Sequence, residues 1–120
     1  MYFAARHDAA WAVIFTSVRP GSDAEYSEFA ARVEHLATLD PGYVAIESVR
    51  DAEGRGITVS YWRDLDAVRR FKALGDHREA QLRGRTSWYS RYTVAVCRIE
   101  RSYQFEAGDE GDSEIPGRMP

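Results

Sequence analysis

One histidine, one arginine and a run of aromatic side chains hold most of the chemistry that this sequence offers. His77 follows a helix-stop signal at Gly75 and an acidic cap at Asp76. An imidazole in general titrates near neutrality, so a histidine here can accept a phenolic proton or orient a carbonyl. The competing reading is structural, an imidazole that hydrogen-bonds the turn after the cap. Arg85, Trp88, Tyr89 and Tyr92 follow Gly84 at helical spacing. A guanidinium beside aromatic rings can hold an anionic ligand. Aromatic groups at i, i+4 are more often packing, and tyrosine hydroxyls are common at dimer seams. His7 lies in a loose N-terminal segment and His35 on the polar side of a helix, where solvation is the simpler role.

Other chemistries lack their residues. Cys97 is the single cysteine, so an internal disulfide is out of reach, and neither a CxxC pair nor a Cys/His cluster points to zinc. There is no Ser/His/Asp arrangement or carboxylate-rich metal site. Gly54 and Gly56 belong to a hairpin turn and not to a phosphate-cradling loop. The net charge of −3 is concentrated at one end: residues 106–120 hold five of the 19 acidic residues and one of the 16 basic ones. The first 105 residues are therefore near +1, with no Lys/Arg cluster to grip nucleic acid. The sequence shows no basic-then-apolar leader and no apolar run long enough to span a bilayer, and a cytoplasmic protein is expected.

The elements that must position these groups are legible. Ala10–Val18 is β-rich with apolar residues on both phases, Trp11, Val13 and Phe15 against Ala12, Ile14 and Thr16. Such a strand is expected to be covered on both sides. Ser22 and Glu25 form a capping box for a helix whose apolar face includes Tyr26, Phe29, Val33 and Ala37, ending before Asp40-Pro41-Gly42. Strands follow at Tyr43–Arg50 and Ile57–Trp62, joined by the Asp51-Ala52-Glu53-Gly54 hairpin. Asp64 caps the next helix, with Gly75 as its stop, and an Asp76/Glu79 capping box restarts a helical segment to about Ser90. A last strand spans Tyr92–Glu100. The order β-α-β-β-α-β predicts an α+β, ferredoxin-like fold with a four-stranded antiparallel sheet. One sheet face packs on the helices, and the apolar excess on the other predicts a homodimer closed through sheet faces and the last strand. Residues 1–105 form the folded domain, and the acidic, Gly/Pro-bearing stretch 106–120 is expected to be disordered.

The segments AVIFTS, PGY leading into IES, GITVSYW, the Asp76-His77 corner, and GRTSWYSRY running into the last strand resemble the antibiotic biosynthesis monooxygenase (ABM) family of dimeric α+β barrels, over roughly Trp11 to Tyr103. The better understood relatives oxidise polycyclic aromatic phenols to quinones without a prosthetic group; others bind and degrade haem. The resemblance implies a cofactor-independent monooxygenase that oxidises an electron-rich, phenol- or anthrone-like aromatic with dioxygen. That reaction needs an apolar aromatic cage and polar groups that bind the phenolate or take its proton. It places His77 and Trp62 in catalytic roles and Thr16, Arg85, Trp88 and Tyr92 around the substrate. Trp62 also reads as a core residue that joins the third strand to the helix after it. Haem cleavage is disfavoured: the first strand has Ile14 and Thr16 but no Asn, the helical Trp position falls near Phe71, and the axial position falls near Gln81. A dimeric module that binds a small aromatic without turnover is the remaining alternative.

Overall fold

A computed structural model describes residues 8–19, 24–81 and 89–108, with the side chains of 24–25 and 77–81 outside that description. Four strands form one antiparallel sheet in the order β2-β3-β1-β4, where β1 is Trp11–Val18, β2 Tyr43–Arg50, β3 Arg55–Trp62 and β4 Arg91–Arg98. Helices α1 (Ala24–Ala37) and α2 (Leu65–Gln81) complete the ferredoxin-like order.

Strand register sorts the side chains. Trp11, Val13, Phe15 and Ser17 of β1 pair with Trp62, Ser60, Thr58 and Gly56 of β3, and with Arg98, Val96, Val94 and Tyr92 of β4. Because side chains alternate across a strand, these twelve positions share one sheet face. It is the face under the helices: Val13 and Trp62 pack with Ala37 of α1 and with Ala67 and Val68 of α2. Trp11, Tyr43, Leu65 and Phe71 close around that core. Ala12, Ile14, Thr16 and Val18 look the other way, where Val49 and Ile57 are exposed. The apolar excess predicted for the second face is therefore present.

The turns follow their sequence signals. In the hairpin, Asp51 accepts the backbone N–H groups of Glu53 and Arg55, and Gly54 adopts φ 90°, a left-handed conformation that glycine reaches without a Cβ penalty. Asp64 caps α2 by accepting the Ala67 N–H at 2.8 Å. The α1–β2 turn is tied to α2 by Arg70, which donates twice to Asp40, at 2.8 and 2.9 Å.

Two expectations need correction. Gly75 does not stop a helix: α2 runs unbroken from Leu65 to Gln81, and Asp76 serves as an i+4 partner for Lys72 at 2.7 Å, not as a cap. A single glycine costs a helix only about 1 kcal/mol, which the packing of Ala67, Val68 and Phe71 outweighs. His77 thus belongs to a continuous helix and not to a corner. The helical segment also does not extend to Ser90, since Tyr89 and Ser90 are non-helical and the Ser90 N–H donates to the Val18 carbonyl. The Ser22/Glu25 box rests on Ser22, outside the described residues, as does 109–120, most of the stretch expected to be disordered.

Candidate functional site

The helix-side face of the sheet holds two aromatic groups, one at each end. At the β1 start lies Trp62, fully buried, with its indole N–H donating to Ser60 Oγ at 2.9 Å. Phe71 tilts against it at 4.8 Å and Tyr43 meets it edge-on at 5.9 Å. A side chain with no exposed surface supports a site from behind and does not line one. At the β1 end, Phe15 contacts both Tyr89 and Tyr92 at 5.4 Å between ring centroids. Tyr26 of α1 stands perpendicular to Tyr89 at 5.6 Å. Tyr92 remains 57% exposed, and Val94 and Val96 beside it on β4 are about half exposed. The helices leave this part of the sheet open.

Polar groups gather at the same end. Arg50, Gly56, Ser17 and Tyr92 form one row across the four strands. Gly56 has no side chain, and Arg50 lies flat over it: an added Cβ would meet the guanidinium carbon at 2.5 Å. Arg50 thereby reaches Ser17 Oγ at 2.8 Å. One step beyond β1, Arg19 stacks its guanidinium on Tyr26 at 3.8 Å from the ring centroid. Arg19 is 7% exposed, and its Nε has no hydrogen-bond partner. A buried donor left without an acceptor costs about 1–3 kcal/mol. Tyr89 donates to the Tyr26 hydroxyl at 2.9 Å. Burial, reinforced by that hydrogen bond, pushes the Tyr89 phenol above the usual tyrosine range, while the charges of Arg50 and Arg19 pull it partly back. At neutral pH Tyr89 is thus a neutral hydrogen-bond donor and not a base.

The residues expected from sequence do not share one location. Register sets Trp62 opposite Trp11 and Tyr92 opposite Ser17. Six residues of strand separate these positions, roughly 20 Å, so one small ligand cannot touch both. Thr16 lies on the opposite face, its hydroxyl bonded to that of Thr93 at 2.6 Å. His77 is on α2 with its side chain outside the described residues, and Arg85 and Trp88 also lie outside them. Among the described residues, no group of three or more His, Cys, Asp or Glu could hold a metal ion, and no helix is long and apolar enough to cross a membrane. Sequence reasoning did not single out Arg19, Arg50 or Tyr26. Arg19 continues the two-residue phase of Trp11, Val13, Phe15 and Ser17, which is the signal that was available.

Residues 11–83 match the family model described as antibiotic biosynthesis monooxygenase. The uncharacterized protein YqjZ of Bacillus subtilis (strain 168) is 44% identical over 96 residues, covering 80% of this chain and 84% of that one. The chain belongs to the ABM family. The fold agrees with solved structures at low identity. SnoaB, a cofactor-independent oxygenase from Streptomyces nogalater, superposes with a TM-score of 0.61 at 19% identity, covering 78% of this chain and 96% of SnoaB. A conserved protein from Methanosarcina mazei Go1 gives 0.63 at 10% identity, over 78% and 95%. In this ABM protein the open aromatic end of the helix-side face is the candidate site, with the Trp62 core as its support.

Proposed function

We propose that the protein is a cofactor-independent monooxygenase that oxidises an electron-rich aromatic, phenol- or anthrone-like, with dioxygen. The observation that carries this reading is the joining of Phe15, Tyr26, Tyr89 and Tyr92 to two guanidinium groups on the open end of one sheet face. ABM membership and the likeness to SnoaB, described as a cofactor-independent oxygenase, support it. In such a reaction the ionised substrate gives an electron to dioxygen, and the radical pair is held until it combines. Aromatic walls exclude water, and cations stabilise the anion that must form first. His77, Arg85 and Trp88 remain the proposed proton-accepting and substrate-holding groups from α2 and the residues that follow it. Trp62 has no surface to offer a ligand, so its proposed part is to fix the sheet beneath the site.

Oxygen consumption with a panel of anthrones and naphthols, run beside anaerobic controls, tests the reaction. Substrate-dependent uptake that falls in His77→Ala, with the fold intact, is expected. Saturable binding of the panel without uptake would favour the non-catalytic binding module. Haem is the other cofactor to test. The missing first-strand Asn and Gln81 at the axial position argue against a tight complex, and a stoichiometric Soret shift lost in His77→Ala would overturn that.

A further inference from the structure

We propose that Arg19 and Arg50 form an oxyanion-binding cradle at the β1 end of the helix-side face, and that it takes an aromatic ligand bearing a carboxylate. Arg19 carries the argument. It is 93% buried by residue surface, its plane is stacked on Tyr26, and its Nε has no hydrogen-bond partner. A guanidinium presents its donors in a planar fork and accepts no hydrogen bond itself, so only an acceptor can satisfy Nε. The face of the guanidinium is occupied by the ring. Its edge is where an oxygen acceptor is missing.

The surroundings fit an anion and not a cation. Arg50 adds a second positive charge, held over Gly56 by Ser17 Oγ and by the Gly54 carbonyl. The acidic groups of the hairpin at this end are engaged elsewhere: Asp51 and Glu53 both pair with Arg55. No acidic side chain among the described residues pairs with Arg19 or Arg50. Beside the two guanidiniums stand Phe15, Tyr89 and Tyr92, whose rings suit a flat apolar body. Arg50 and Tyr92 are exposed, whereas Arg19 is buried against Tyr26. A ligand with an aromatic body and one oxyanion satisfies both halves. The cradle uses the same cluster as the oxygenase reading and names the charge of its substrate. It requires binding alone, with no turnover.

The test compares 2-naphthoate with the neutral 2-naphthamide by isothermal titration calorimetry on the full chain, under argon. Hydrogen bonds to charged groups correspond to affinity factors of about 10–100. The wild type is therefore expected to bind the carboxylate at least about tenfold more tightly. Arg19→Met should lower naphthoate affinity to the naphthamide level and leave naphthamide binding unchanged. Arg19→Lys should restore part of the preference, and Arg69→Met, an exposed cation on α2, should change nothing. Should Arg19→Met fail to fold, Arg50→Met is expected to reduce the preference by a smaller factor. A wild type that binds neither ligand, or binds both equally, overturns the cradle, as does a carboxylate preference that survives Arg19→Met. Oxygen uptake without a carboxylate preference would sink the cradle and spare the oxygenase. The preference without uptake would do the reverse.

Discussion

Replacement of Trp62 measures how much of the fold hangs on one side chain. Its indole is fully buried between Phe71 and Tyr43, and its N–H is the partner of Ser60, itself 1% exposed. Truncating a buried Trp to Ala costs about 3–5 kcal/mol through lost transfer energy and the cavity left behind. Domains of this kind have roughly 5–15 kcal/mol in total, so Trp62→Ala should lose a large share of the stability and unfold at a much lower urea midpoint. Trp62→Phe is the sharper experiment. It keeps most of the packing and removes the indole N–H, leaving the Ser60 hydroxyl buried without that donor, at a cost of about 1–3 kcal/mol. Ser60→Ala in that background should recover about 1 kcal/mol, because the orphaned hydroxyl is gone; a nonadditive double-mutant cycle is the signature. Urea melts at one fixed protein concentration give each free energy. Naphthoate binding by Trp62→Phe should stay within about twofold of wild type, in keeping with a group that touches no ligand. A Trp62→Phe protein that is fully stable yet has lost ligand affinity would refute the core assignment and return Trp62 to the pocket wall.

Three further outcomes follow from the geometry. Arg70, donating two hydrogen bonds to Asp40, holds that carboxyl below its ordinary value of 3.8. A depressed folded-state pKa gives stability that is full above the unfolded value and lost as pH falls through the folded one. Arg70→Gln should thus lower the urea midpoint slightly at pH 7, since the pair is solvent-screened, and progressively less below about pH 4. Gly54→Ala places a Cβ 2.1 Å from the Arg19 carbonyl at φ 90°, and thermal melts should show a loss of about 2 kcal/mol or more. The exposed Val49 and Ile57 predict a dimer closed over the far sheet face. Light scattering should give twice the chain mass at micromolar concentration and one chain mass for Ile57→Lys, whereas a monomeric wild type would refute the dimer.

The fold was legible where local rules and tertiary packing agree. Tyr43–Arg50 was bounded by its turns alone, and the Asp64 cap and the Asp51–Gly54 hairpin were visible because each closes its own hydrogen bonds within four residues. Gly75 shows where that logic fails. A stop signal worth about 1 kcal/mol is weak, and the buried face of α2 overrides it. The Asp76-His77 corner disappeared with it. Every inference that treated His77 as a turn residue therefore loses its structural premise.

The candidate site was harder to read because its parts are joined by register, not by proximity in sequence. Tyr92 was grouped by sequence with Arg85, which lies outside the described residues, whereas strand register puts it in one row with Arg50. That Arg50 crosses Gly56 to meet Ser17 depends on the pairing of β2 with β3 and of β3 with β1 at one row. A one-residue slip of β2 on β3 would turn Arg50 to the opposite face, and a slip of β3 on β1 would turn both Arg50 and Gly56. The placement of Thr16 is the same lesson in reverse, since one step along β1 moves a hydroxyl from the aromatic end of the site to a bond with Thr93 on the far side. Composition can nominate an arginine and an aromatic ring for anion binding. Strand parity, extended one residue past the strand to Arg19, decides which arginine it is.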